Sequence, residues 1–133
     1  MSVEFSGRHM PALFAATTTS IGGFWPLFAP AGAMREFGFP EHVARSPAAQ
    51  PVMAINGART TVLGIIMLIL YFRGMLEECD ILLALMGGYL GLVDSCVCWR
   101  QGNPGKAVFR LMTSLGLGAW GFFGQTSGAA ISW

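Results

Sequence analysis

Charge is what this sequence has least of. Only 11% of its 133 residues are Asp, Glu, Lys or Arg, against about 25% in a typical water-soluble domain. Hydrophobic residues make up 53% and mean hydropathy is +0.56, so the chain has too few charges to cover a water-facing surface and lipid is its natural solvent. The net charge is +1, and no basic run or basic–aromatic interleaving occurs, so no nucleic-acid partner is expected. Cysteine is scarce as well. Cys79, Cys96 and Cys98 are an odd set whose spacing describes no disulfide framework, and Cys96-x-Cys98 reads first as small apolar residues packing on a helix. His9 and His42 are too few and too far apart for a zinc or haem set, so neither metal nor cofactor is expected. A phosphate-cradling loop and a nucleophile–histidine pair are also lacking, which turns the reading away from phosphoryl, acyl and redox chemistry.

What the sequence does have is hydrophobic length. Four apolar segments, at about 10–28, 52–72, 81–99 and 107–123, each approach the ~20 residues that span hydrocarbon. Outer-membrane barrels need shorter alternating segments. The expected fold is therefore all-α, a single domain over 1–133, built as a bundle of four transmembrane helices. Thr17 to Ser20 interrupt the first segment and Pro30 disfavours cleavage after it, so it reads as a mature helix, kinked at Pro26, and not as a signal peptide.

Positive charges set an orientation. Arg35, Arg45, Arg59, Arg100, Lys106 and Arg110 flank one membrane face, and Arg8 and Arg73 the other, which places both termini outside. The expected location is a multi-pass protein of the endoplasmic reticulum in a eukaryote or of the plasma membrane in a bacterium. The turn Arg100 to Lys106 is short and polar, making the third and fourth helices antiparallel neighbours. Glu77, Glu78 and Asp80 fall in the second connection. The first connection is long and mixes apolar with charged residues around Ala33 to Pro40, which suits an interfacial segment across the cytoplasmic mouth. Gly87-x-x-x-Gly91, and Gly118, Gly121 and Gly124, allow close helix approach. The same glycines would serve contacts within one chain or within a homo-oligomer.

Three ionisable residues lie inside apolar segments: Arg59, Asp94 and Arg110. A charge at membrane depth costs roughly 2.5–3.5 kcal/mol on insertion scales, so such residues mark functional sites. Counted from the helix ends, the three lie roughly 5–10 Å below the same face. An Arg59–Asp94 pair is expected, with Arg110 either joining it or snorkelling to the interface. Asn56, Thr60 and Ser95 share that layer, and Arg35, Glu36 and His42 approach it from the long connection. Phe24, Trp25, Tyr89, Trp120 and Phe122 are candidate lining residues, although such aromatics more often serve the core.

Pro30 to Pro40, Asn56-Gly57-Ala58-Arg59 with Leu63-Gly64, and Gly91-Leu92-Val93-Asp94 before Gly102 together resemble one pattern. It is that of small four-helix integral membrane proteins known as a domain of unknown function, relatives of the DoxX-like group found in bacteria and fungi. The resemblance covers about residues 10–124. It implies importance for Arg59 and Asp94, and, through fungal members beside secondary-metabolite genes, a link to such biosynthesis. Many members have a histidine early in the fourth helix, where this chain has Phe109-Arg110.

Three functions follow from these residues. The first is a cofactor-independent enzyme, an isomerase or cyclase, acting on a lipophilic small molecule, with Asp94 as general acid or base and Arg59 and Arg110 facing a developing oxyanion. The second is a non-catalytic accessory or lipid- or quinone-binding subunit. The third, a small carrier, would require an oligomer, because no inverted repeat is visible.

Overall fold

The computed structural model describes residues 4–129 and residue 131. Among them all regular structure is helical. A 3₁₀ turn, Gly7–His9, leads into α1 (Met10–Phe28); α2 (Pro30–Phe37) and the single turn α3 (Glu41–Ala44) follow, then α4 (Ala49–Phe72). Next come α5 (Leu76–Arg100) and α6 (Pro104–Phe122).

Local chemistry explains the boundaries. Prolines open α1, α2 and α6, where a missing N–H leaves no bond unmade. The Asn103 side chain caps α6 by accepting from the Lys106 N–H at 3.2 Å. Gly38, with φ of 120°, ends α2 in the left-handed region and turns the chain back. Gly124, placed by its spacing with the packing glycines of α6, instead follows the end of that helix with φ of 67°. Pro26 stands in the last turn of α1, two residues before its end.

The four long helices alternate in direction. At one end the Tyr71 hydroxyl of α4 and Nδ1 of His9, just before α1, share a hydrogen bond of 2.9 Å. There the Asp80 carboxylate of α5 also accepts the N–H groups of Thr126 and Ser127, just past α6, at 3.0 and 2.8 Å. Trp120 closes the group by donating to the Arg8 carbonyl. Asp80 therefore belongs to a helix and not to a connection. Glu77 and Glu78 form the acidic first turn of α5, where the positive end of the helix dipole favours carboxylates.

Small residues set the helix spacing. Along α1 and α4, Ala12, Ala16, Ser20 and Gly23 face Gly57, Thr61, Gly64 and Met67, and all are buried. A Cβ on Gly64 would lie 2.6 Å from the Ser20 nitrogen and 2.8 Å from the Ala16 carbonyl oxygen. Between α5 and α6, a Cβ on Gly118 would lie 2.8 Å from the Gly88 nitrogen. The glycine motifs are used within the chain. Two helices, Ala49–Phe72 and Leu76–Arg100, are long and apolar enough to cross a membrane, with mean hydropathies of 1.7 and 1.9. Threonines, serine and glycines in α1, and Lys106, Arg110 and glycines in α6, lower the hydropathy of the other two.

The long connection is structured as α2 and α3. Its outer face carries Glu41, paired with Arg35 at 2.8 Å and Arg45 at 2.6 Å. The Arg35 hydrogen bond, opposed by desolvation and helped by Arg45, lowers the Glu41 carboxyl from 4.5 to about 2. A depressed carboxyl contributes stability above its unfolded value and loses it as pH falls through the folded one. The expected outcome is a small difference in thermal midpoint between wild type and Glu41→Gln above pH 4.5 that vanishes by about pH 2. The pair is exposed, so the difference is small at every pH. A midpoint difference that grows on acidification would contradict this assignment.

Candidate functional site

Helical periodicity puts Met53, Asn56, Gly57 and Thr60 on one stripe of α4. They face Thr19, Gly22, Gly23 and Pro26 of α1 across a cavity of about 310 Å³. The space exists because the facing residues are short. Pro26 has no N–H, so the Gly22 carbonyl at the cavity wall also loses its usual donor four residues on. Ala33, Glu36 and Phe37 of α2 cover this cavity, and Asp94 of α5 and Arg110 of α6 complete its wall.

Asp94 also lines two further cavities. One, of about 190 Å³, runs deeper between α1, α4, α5 and α6; the other, of about 460 Å³, is apolar and lies under the α2–α3 strap. A π turn at Met86–Leu90 explains how Asp94 reaches all three. Without it, eleven residues of α-helix would return Asp94 to the buried line of Leu83. The extra residue of a π turn rotates the following segment by about 100°. Gly91, Ser95 and Cys98 then take the buried line, and Asp94 turns to the flank where the cavities meet. The carboxylate is half-buried and makes no hydrogen bond or ion pair among the described residues. Arg110 acts on it electrostatically across the cavity.

Arg110 and Lys106 also hold the strap. Arg110 Nε donates to the Phe37 carbonyl at 3.2 Å, and its guanidinium lies 4.0 Å over the Phe37 ring. Lys106 Nζ donates to the Glu36 carbonyl, and to the Arg35 carbonyl at 3.4 Å. Cys98 Sγ donates to the Phe37 carbonyl at 3.1 Å. Cations thus meet the negative end of the α2 dipole. The strap is pinned over the cavity by its own backbone carbonyls.

The residues expected from sequence divide into two groups. Asp94, Arg110, Asn56, Thr60 and Glu36 line one cavity together. Glu36 does so while paired with Lys106 at 3.6 Å, and the Thr60 hydroxyl donates to the Asn56 carbonyl at 2.9 Å. Arg59, Ser95 and His42 stand apart. The Ser95 hydroxyl, on the buried line, donates to the Gly91 carbonyl at 2.7 Å. His42 is exposed on α3. Arg59 is exposed and makes no hydrogen bond or ion pair among the described residues, so the expected Arg59–Asp94 pair is not formed. At 3.6 residues per turn Arg59 lies about 110° round α4 from the centre of the Met53–Thr60 stripe. Of the aromatics, Trp25 lines the cavity. Phe24, Tyr89 and Phe122 are exposed, and Trp120 lies at the opposite end of the bundle.

Phe37, Thr19 and Met53 line the cavity without having been expected there. Phe37 is signalled only by its place before the Gly38-Phe39-Pro40 turn, and Thr19 by the polar run in α1. The position of Arg59 carries a prediction. Arg59→Ala is expected to change stability by about 0.5 kcal/mol or less and to leave ligand binding at Asp94 unchanged. A loss of binding comparable to that of Asp94→Asn, in the same assay, would show that Arg59 reaches the site.

Neither a curated protein nor a solved structure matches the chain. The model of one family matches residues 16–124, a span that contains the strap, the π turn, Asp94 and Arg110. The chain belongs to that family, described as Domain of unknown function (DUF4267).

Proposed function

We propose that this protein is an integral membrane enzyme performing acid–base chemistry on a lipophilic small molecule, with Asp94 as general acid or base. The observation that carries the reading is an unpaired carboxylate at the junction of three cavities. In an apolar bundle a structural aspartate is expected to be paired. Asp80 is such a residue, held by two backbone N–H groups, and Asp94 is not.

Membrane insertion is supported by what the helices leave outside. Only 22% and 28% of the most apolar windows of α4 and α5 are buried, where a soluble core helix would be mostly covered. Phe28, Tyr89, Phe109 and Met112 are 69–84% exposed, which suits hydrocarbon. At 19 residues each, α1 and α6 reach about 28 Å, close to the hydrocarbon thickness, so all four long helices span in this reading. The strap, Lys106 and Arg110 then lie at the cytoplasmic face and both termini outside. The membrane is the endoplasmic reticulum or the plasma membrane, according to the cell.

The chemistry suited to this site is a proton transfer. Asp94 removes a proton from carbon beside a carbonyl, the C–H electron pair moves into an enolate, and Arg110 faces the oxygen that gains charge. Return of the proton to a different carbon gives an isomer. Alternatively the enolate carbon attacks a second carbonyl of the same molecule, whose C=O π pair becomes an alkoxide that takes the proton back from Asp94, and a ring closes. Either outcome balances without a co-reactant. The test is solvent deuterium incorporation into long-chain enolisable and β,γ-unsaturated ketones by the full chain in lipid nanodiscs. Incorporation that Asp94→Asn abolishes supports the enzyme. Rates equal in wild type and variant across such ketones would overturn it in favour of a lipid- or quinone-binding accessory subunit.

A further inference from the structure

The geometry points to an uncharged amphiphile as the ligand, with a hydroxy-carbonyl or enol head between Asp94 and Arg110 and an apolar tail beneath the strap. This inference rests on the site reading above and specifies what the site accepts. Two adjoining chambers differ in chemistry. The 310 Å³ chamber carries Thr19, Glu36, Asn56, Thr60, Asp94 and Arg110. The 460 Å³ chamber carries Met34, Phe37, Phe39, Val43, Val52 and Val97. Phe37, Met53, Asn56 and Asp94 line both, so a molecule bound at Asp94 has an apolar space next to its head. Each volume falls in the range of small-molecule sites.

Charge decides the head. Glu36 is neutralised by Lys106, which leaves Asp94 and Arg110 as the two opposite charges of the polar chamber. Arg110 already gives Nε and one face to Phe37. An anionic head would meet Asp94 with no spare cation, and a cationic head would meet Arg110 with no spare anion. Either would leave a net charge in a half-buried chamber, which is costly. A neutral head bearing one donor and one acceptor meets both: its hydroxyl donates to Asp94 and its carbonyl accepts from Arg110.

The test uses the full chain in nanodiscs and three probes of equal chain length at neutral pH: a β-diketone, a fatty acid and a primary alkylamine. The β-diketone is expected to bind at least about tenfold more tightly than either charged probe. Asp94→Asn and the charge-conserving Arg110→Lys should each weaken it by about tenfold, and a thermal midpoint confirms that each variant is folded. Val97→Phe, which fills the apolar chamber, should weaken a long-chain β-diketone and spare a short-chain one. Equal or tighter binding of the fatty acid or the amine, still dependent on Asp94, would overturn the neutral head and leave the site reading standing. Binding of all three probes that ignores Asp94 and Arg110 would overturn both.

Discussion

Asp94→Asn is expected to lower turnover by about 10²–10⁴-fold, the usual contribution of a positioned acid or base, while the protein stays folded. Asparagine keeps the shape of the carboxylate and cannot take up or give back a proton as a carboxylate does. The substitution also removes a charge that no described residue pairs. An unpaired charge in an apolar bundle is costly, but the change also takes from Arg110 the opposite charge across the cavity, so the thermal midpoint should change little. Activity down with stability nearly unchanged is therefore the signature of a working carboxylate. A structural aspartate gives the opposite pattern. Asp80→Asn, which weakens the bonds to Thr126 and Ser127, is the internal comparison and should lower the midpoint. Turnover and midpoint measured on one preparation of each variant decide the matter. A fall in stability for Asp94→Asn, without loss of turnover, would show that Asp94 holds the bundle together.

Gly64→Val is expected to damage the fold severely. Even a bare Cβ there would lie 2.6 Å from the Ser20 nitrogen and 2.8 Å from the Ala16 oxygen. Both are backbone atoms of α1, so no side chain can rotate away and the helices must separate. Overpacking of this kind typically costs about 1–3 kcal/mol, sometimes more. Neighbouring Thr19 and Thr60 line the polar chamber, so ligand binding should weaken with stability. Gly116→Ala is the control, because a Cβ there meets nothing within 4 Å. It should be neutral or stabilising by about 0.5–1 kcal/mol, through helix propensity. Denaturation in mixed micelles reads both variants, and equal midpoints would contradict the close α1–α4 contact.

Helices were legible in this sequence because apolar length and proline–glycine punctuation are local signals. The expected 10–28 matches α1, and the start of α5 was missed only where Glu77, Glu78 and Asp80 looked like a connection. Their roles depend on the helix dipole and on the chain beyond α6, which periodicity does not carry. Asp94 and Arg110 were legible as charges in apolar surroundings. Their partners were not. Whether Asp94 or Ser95 faces the cavities is a difference of about 100°, settled by one extra residue in the π turn at Gly87-Gly88. Arg59 was assigned by depth along the helix, and depth says nothing about the side of the helix. The strap over the cavity was visible as a mixed-polarity segment. Its anchoring by Lys106, Arg110 and Cys98 on the carbonyls of Arg35, Glu36 and Phe37 joins residues some 60–70 positions apart.

The most direct test is carbodiimide labelling of the protein in its membrane with lipophilic dicyclohexylcarbodiimide, read residue by residue by mass spectrometry. An unpaired carboxyl facing an accessible cavity should react, whereas a fully buried one held by backbone N–H groups should not. The account predicts modification at Asp94 and none at Asp80. Protection of Asp94, under conditions that label Asp80, would contradict it.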